Sequence, residues 1–243
     1  MSETARGKDA TGAYVTRRTL ARKTARWLSD CAQVAPRYRK IAFDIETAAL
    51  LVVDMQRFFT DSRSHAYLHA TGAILDNVNA LAEAFAKAAR PVAASFYAGT
   101  AEEAPAMKAF WKHLLAPGDP LAEPDERLRL PAGTLVFRKP TYSAFQGSPL
   151  GRFLRERGTT QLAICGVMTH LCVSTAAREA FCAGLVPFLA ADATAAPTER
   201  LHAGALLEAA HGFAVVTDTS TLTKNRGGGR SRGTAGRTTG MNR

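Results

Sequence analysis

The chain has 243 residues, 47% of them hydrophobic, which is enough for one sizeable core and tight for two domains. Its formal net charge of +10 sits at the ends. Ten Lys and Arg against three acidic residues lie in 1–43 and six against none in 223–243, leaving fifteen basic and eighteen acidic residues between them. Basic charge confined to tails argues against a nucleic-acid surface, which needs Lys and Arg on a folded face with aromatic or motif support.

The four cysteines (Cys31, Cys165, Cys172, Cys182) form no CxxC pair and no Cys/His zinc spacing. "TRRTL" at 16–20 is followed by "ARKTARWLSD", too charged for the apolar region of an export signal. No apolar run is long enough to span a bilayer. A soluble, cytoplasmic protein with reduced thiols and no membrane partner is therefore expected.

In chain order, 1–43 reads as a basic extension carrying one amphipathic helix, with Leu20, Trp27, Leu28 and Cys31 at helical spacing. The main domain, 44–222, opens with "AALLVVD", an apolar run ending on a carboxylate, as a parallel strand buried on both faces does. Ile74, Leu75, Val78, Leu81, Ala82 and Phe85 follow helical spacing until Arg90-Pro91 stops the helix, and "PVAASF" reads as the next strand. A helix at 106–115, a strand at 134–137 and a helix at 150–157 follow. Then come "QLAICGV" as a strand, a helix at 172–183, "VPFLAAD" as a strand, a helix at 198–210 and "FAVVT" as the last strand. Six strands alternating with helices predict an α/β fold, a doubly wound, mostly parallel sheet with helices on both faces. The tail at 223–243, with six glycines and six positive charges, buries too little to offset its ordering entropy and is expected to be disordered.

Ligands of doubly wound sheets bind beyond the carboxyl ends of the strands. Three polar residues fall there: Asp54 after the first strand, Lys139 after the strand at 134–137, and Cys172 where the helix after "AICGV" begins. A helix N-terminus and a nearby cation lower a thiol pKa, and an acid and an amine beside it can move protons to a leaving group. Singly, each has a plainer role: a capping Asp, a solvated Lys, a core Cys.

With "LLVVDMQRFF", "RKPTYSAFQGSPL", "GVMTHLCVSTAAREAF" and "PFLAADA" in that order, the chain resembles the isochorismatase-like (cysteine hydrolase) superfamily from about Ala49 to Leu222. The resemblance implies a Rossmann-like fold with a catalytic triad at Asp54, Lys139 and Cys172. It also implies a non-proline cis peptide at Val167–Met168 and an oxyanion hole from the backbone N–H groups of Met168 and Cys172. Phe59, Trp111, Tyr142 and His170 lie beside family motifs and are candidate walls for a small-molecule substrate. A homo-oligomer is likewise implied by resemblance. No cofactor is called for.

Isochorismate-cleaving members of the superfamily carry Gly where this chain has Cys172, so the thiol favours C–N hydrolysis of an amide, lactam or carbamoyl group. Lactam-opening streptothricin hydrolases are among the relatives this suggests. Isochorismate cleavage is the alternative, and a non-catalytic binding scaffold a third. Nicotinamidases of the superfamily place an Asp and two His as metal ligands shortly after the first strand. Asp61, His65 and His69 occupy that region here in a fitting order, but the wider nicotinamidase pattern is missing and no metal site is assigned. Specificity falls to the loops at 60–70 and 98–105, which no motif explains.

Overall fold

The computed structural model describes residues 12–37 and 40–224. The expectation of disorder at 223–243 therefore lies, from residue 225 on, outside the described residues. Among the described residues, β1 (Ala48–Val53), β2 (Val92–Tyr97), β3 (Leu135–Lys139), β4 (Gln161–Val167), β5 (Val186–Ala195) and β6 (Val215–Thr217) form one sheet in the order β3-β2-β1-β4-β5-β6. Every pairing is parallel. The order reverses between β1 and β4, so the chain leaves those two neighbouring strands in opposite directions and opens a crevice at their carboxyl ends.

Strand β1 is wholly buried because its alternating side chains enter two separate cores. Leu50 and Val52 face one core with Ile74, Val78, Leu81 and Phe85 of α3 (Thr71–Lys87). Ala49, Leu51 and Val53 face the other, with Leu150 and Leu154 of α5 (Leu150–Glu156) and Ala176, Ala177 and Ala180 of α6 (Ser174–Cys182). Helices thus cover both faces of an α/β sheet.

The N-terminal helix α1 (Arg17–Val34) is part of the first core. Leu20, Thr24, Trp27 and Cys31 turn inward, and Trp27 stacks edge-on against His202 of α7 (Glu199–Gly212), ring centroids 4.3 Å apart. Glu199 is gripped from α1 by Lys23 at 2.7 Å, by Arg26 and by the indole N–H of Trp27 at 3.1 Å. His202 is fully buried, and burial drives its pKa down to about 3 against an upward pull from Glu199.

Several boundaries differ from expectation. The helix at 106–115 is only Pro105–Phe110 (α4), because Trp111 adopts extended backbone. Strand β3 runs on to include Lys139, and β5 extends to Ala195 after a register shift between Ile164 and Gly166 on β4. Two short helices, α2 (Arg57–Thr60) and α8 (Thr219–Thr223), have too few residues to show a periodicity.

Two measurements follow from this packing. At Gly166, φ is +105° and an added Cβ would lie 2.0 Å from the Val53 carbonyl oxygen, so Gly166→Ala should lower unfolding free energy by roughly 3 kcal/mol or more in urea titrations. Neutral His202 binds no proton in the fold until about pH 3, whereas the unfolded chain takes one up near 6.5. Its contribution is present above pH 6.5 and is lost on acidification at about 1.4 kcal/mol per pH unit. Between pH 7 and pH 5 the wild type should lose roughly 2 kcal/mol more than His202→Phe, measured by denaturant unfolding at both pH values.

Candidate active site

Three side chains meet at the carboxyl ends of the strands. Asp54 follows β1 directly and adopts a left-handed backbone (φ +52°), a conformation Asp tolerates better than most residues. Its N–H donates to the Ser95 carbonyl on β2 at 2.9 Å, and Gln56 N–H donates to its carbonyl at 2.9 Å. Gln56 fixes the turn further: its side-chain amide donates to the Tyr97 carbonyl at 2.8 Å and accepts from Tyr97 N–H at 2.7 Å, pairing with β2 where β1 has ended.

Lys139, the last residue of β3, is 1% exposed. Its Nζ lies 2.8 Å from Asp54 Oδ2, 3.1 Å from Cys172 Sγ, and donates to the Thr141 carbonyl at 3.0 Å. Ser95 Oγ donates to the other Asp54 oxygen at 3.3 Å. The ammonium bridges carboxylate and sulfur, with the Lys139 and Asp54 side chains both fully buried.

Cys172 sits in a π-helical turn, Thr169–Val173, that runs into α6. It is therefore in the first turn of a longer helical stretch rather than at the start of α6. Such wide turns cluster at functional positions. The Val167–Met168 peptide ahead of it is cis, as the resemblance implied.

Burial sets the protonation of all three. It raises Asp54, and Lys139 offsets only part of that rise. Burial pulls Lys139 down, but Asp54 and the sulfur overcome it and leave the ammonium pKa raised. The Cys172 thiol, expected to fall toward neutrality, is instead pushed up to about 12. Burial outweighs Lys139, and the neighbouring Asp54 adds to the rise. The amine is therefore held protonated, and the thiol beside it keeps its proton at neutral pH.

Above the sulfur opens a cavity of about 410 Å³. Phe59, Trp111, Tyr142, Met168, His170 and Cys172 all line it, so the structure brings every candidate wall residue together over the triad. Trp111 donates its indole N–H to the Tyr142 hydroxyl at 2.7 Å. His170 is half-buried, with its pKa lowered by burial, and is neutral. His65 and His113 join the lining with ring centroids 5.6 Å apart. Among the described residues, the lining contains no carboxylate, ammonium or guanidinium group.

An Isochorismatase domain model matches residues 48–221. The chain belongs to the isochorismatase family. It is 32% identical over 185 residues to Nicotinamidase 3 of Arabidopsis thaliana, covering 73% of this chain and 88% of the relative. It is also 32% identical over 184 residues to a probable isochorismatase of Pseudomonas chlororaphis, covering 73% and 86%. The fold is similar to a cysteine hydrolase from Pseudomonas syringae pv. phaseolicola, TM-score 0.71 at 24% identity, covering 76% of this chain and 94% of that one. These are hydrolases of one family with more than one chemistry.

Set beside the nicotinamidase pattern within the family, Asp61, His65 and His69 do not assemble a metal site. Arg63 claims both Asp61 oxygens, at 3.0 and 2.6 Å, and holds that carboxyl down at about 2. His65 packs between Phe58 and His113, while His69 stacks on Tyr67. Among the described residues no three His, Cys, Asp or Glu groups converge on one point. The donor set does not fit a metal, and no step is routed through one.

Sequence reasoning missed Ser95, Gln56, Thr141 and His113 as parts of this isochorismatase-family site and weighed His65 only as a metal ligand. Ser95 was discoverable as the polar residue near the carboxyl end of "PVAASF". His113 lies in an irregular segment with no pattern to reveal it.

Removing one partner of a buried ion pair leaves the other uncompensated. Lys139→Met should therefore destabilise the protein by about 3–5 kcal/mol, while the double variant Asp54→Leu/Lys139→Met recovers part of the loss in parallel urea titrations.

Proposed function

We propose that the protein is a cysteine hydrolase that cleaves a C–N bond of a small amide or lactam through a thioester on Cys172. The contact that carries this reading is Lys139 Nζ, within 3.1 Å of the sulfur and 2.8 Å of the Asp54 carboxylate. A thiol with no anionic role has no need of a buried ammonium and a buried carboxylate beside it.

The resting thiol is protonated, so attack requires a base. Asp54, its pKa raised by burial, is a stronger base than an ordinary carboxylate and accepts the Cys172 proton as the sulfur bonds to the substrate carbonyl carbon. Lys139 stays protonated throughout: the negative charge passes from Asp54 to the substrate oxygen as the C–S bond forms and returns to Asp54 when the leaving nitrogen takes its proton. Backbone N–H groups of Met168 and Cys172 receive the oxyanion. Asp54 then returns its proton to the leaving nitrogen, the C–N bond breaks, and a thioester remains. Water adds to that thioester with Asp54 again as base; collapse releases the acid and restores the thiol.

The substrate reading comes from the lining. A lining built largely of aromatic and apolar side chains favours a small, flat, uncharged molecule, with His170 and Tyr142 offering hydrogen bonds. A cytoplasmic setting and homo-oligomeric assembly belong to the same proposal. No helix among the described residues is long and apolar enough to cross a membrane, and all four cysteines are unpaired.

A second reading, cleavage of the isochorismate vinyl ether, is supported by the similarity to the Pseudomonas chlororaphis protein. The two differ in their need for sulfur. Wild type and Cys172→Ala are to be compared on simple amides, cyclic lactams, nicotinamide and isochorismate, following ammonia or amine release for the simple amides and nicotinamide, the ring-opened amino acid for the lactams and pyruvate for isochorismate. Amide or lactam turnover should fall at least about a thousandfold in Cys172→Ala with the unfolding midpoint little changed. Pyruvate release equal in both proteins, with no amide cleaved by either, would replace the first reading with the second.

A further inference from the structure

The N-terminal helix lies outside the matched family domain, which begins at residue 48. Yet it connects to the turn that bears Cys172. Thr169, the first residue of the π-helical turn, is fully buried, and its Oγ1 lies 2.9 Å from His202 Nδ1. His202 is fully buried on α7, and its ring is closed in by Trp27 of α1 at 4.3 Å and by Tyr14 at 5.9 Å.

Residues of α1 and of the segment just before it also secure α7 and the residues leading into it. Lys23, Arg26 and the Trp27 indole all bind Glu199, and the Tyr14 hydroxyl accepts the Ala196 N–H at 3.3 Å. Between and beside these anchors stand Pro197 and Leu201, which form part of the cavity wall. Burial holds His202 neutral, so its link to Thr169 is an ordinary hydrogen bond between uncharged groups, sensitive to position rather than to charge.

We infer that Thr169 and His202 are positioning residues and that α1, through Trp27, braces the nucleophile-bearing turn from outside the matched family domain. The inference rests on Cys172 being the nucleophile. What the brace sets is the distance from Sγ to Lys139 Nζ, because the π turn connects the Thr169 anchor to the sulfur within three residues. A turn free to shift loses the ammonium contact that favours thiolate.

The test uses the full chain and needs no substrate. The rate of Cys172 alkylation by iodoacetamide at neutral pH is read on the Cys172 peptide by mass spectrometry, with folding checked by thermal unfolding. Thr169→Val keeps the shape and removes the hydroxyl; it should slow alkylation about tenfold. Thr169→Ser keeps the hydroxyl and should react within about twofold of wild type. Trp27→Leu, which leaves the turn itself unaltered, should also slow alkylation, and it carries the test if Thr169→Val does not fold. Equal or faster alkylation in the folded Val and Leu variants overturns the inference. So does a Ser variant as slow as the Val variant, since that would reduce Thr169 to packing. By contrast, amide turnover that survives Cys172→Ala sinks the nucleophile reading itself.

Discussion

Asp54 and Lys139 hold opposite charges 2.8 Å apart with both side chains sealed from water. Taking each ion out of water costs several kcal/mol, and their attraction repays that only where geometry is good and the remaining polar atoms are bonded. Ser95 Oγ, the Thr141 carbonyl and the Cys172 sulfur complete the arrangement. The sheet register supplies it: Val53 stands beside Ser95 across β1 and β2, and Tyr97 beside Lys139 across β2 and β3. A slip of one residue in either pairing would turn a charged side chain into a core and leave its partner alone.

The same constraint explains the backbone around the site. For the carboxylate to turn toward Lys139 directly after β1, Asp54 takes a left-handed conformation, and Gln56 replaces the lost strand pairing with its side-chain amide. On the neighbouring strand, Gly166 lets β4 approach the Val53 carbonyl closer than any side chain would allow. These three departures from regular geometry lie side by side at the switch point between β1 and β4, where the fold leaves room for a ligand.

Charge lies beneath the cavity and aromatic surface lies around it. That division suits an enzyme whose ion pair must stay dry while a neutral molecule is held above it. The sheet and helices supply the lower part. The wall comes from the short helices α2 and α4, from irregular segments and from the start of α7, which α1 pins in place through Glu199 and His202. A helix that precedes the family domain in sequence is thereby built into the same core as β1 and α3.

The order of strands and helices was legible because parallel strands buried on both faces read as unbroken apolar runs and the covering helices show their own period. Asp54, Lys139 and Cys172 were legible because each ends or follows such a run, within strings that resemble a known family. What only the tertiary structure decided depends on distance and burial. The thiol pKa rises where a helix start and a cation suggested a fall, since complete burial outweighs both. Asp61, His65 and His69 are close in sequence yet diverge, because Arg63 and neighbouring aromatic rings take them up first. His113 reaches the cavity from an irregular segment, and His202 reaches Thr169, beside the Cys172 turn, from α7. Sequence patterns report which side chains share a face of one element; packing alone sets which elements meet and how much water remains between them.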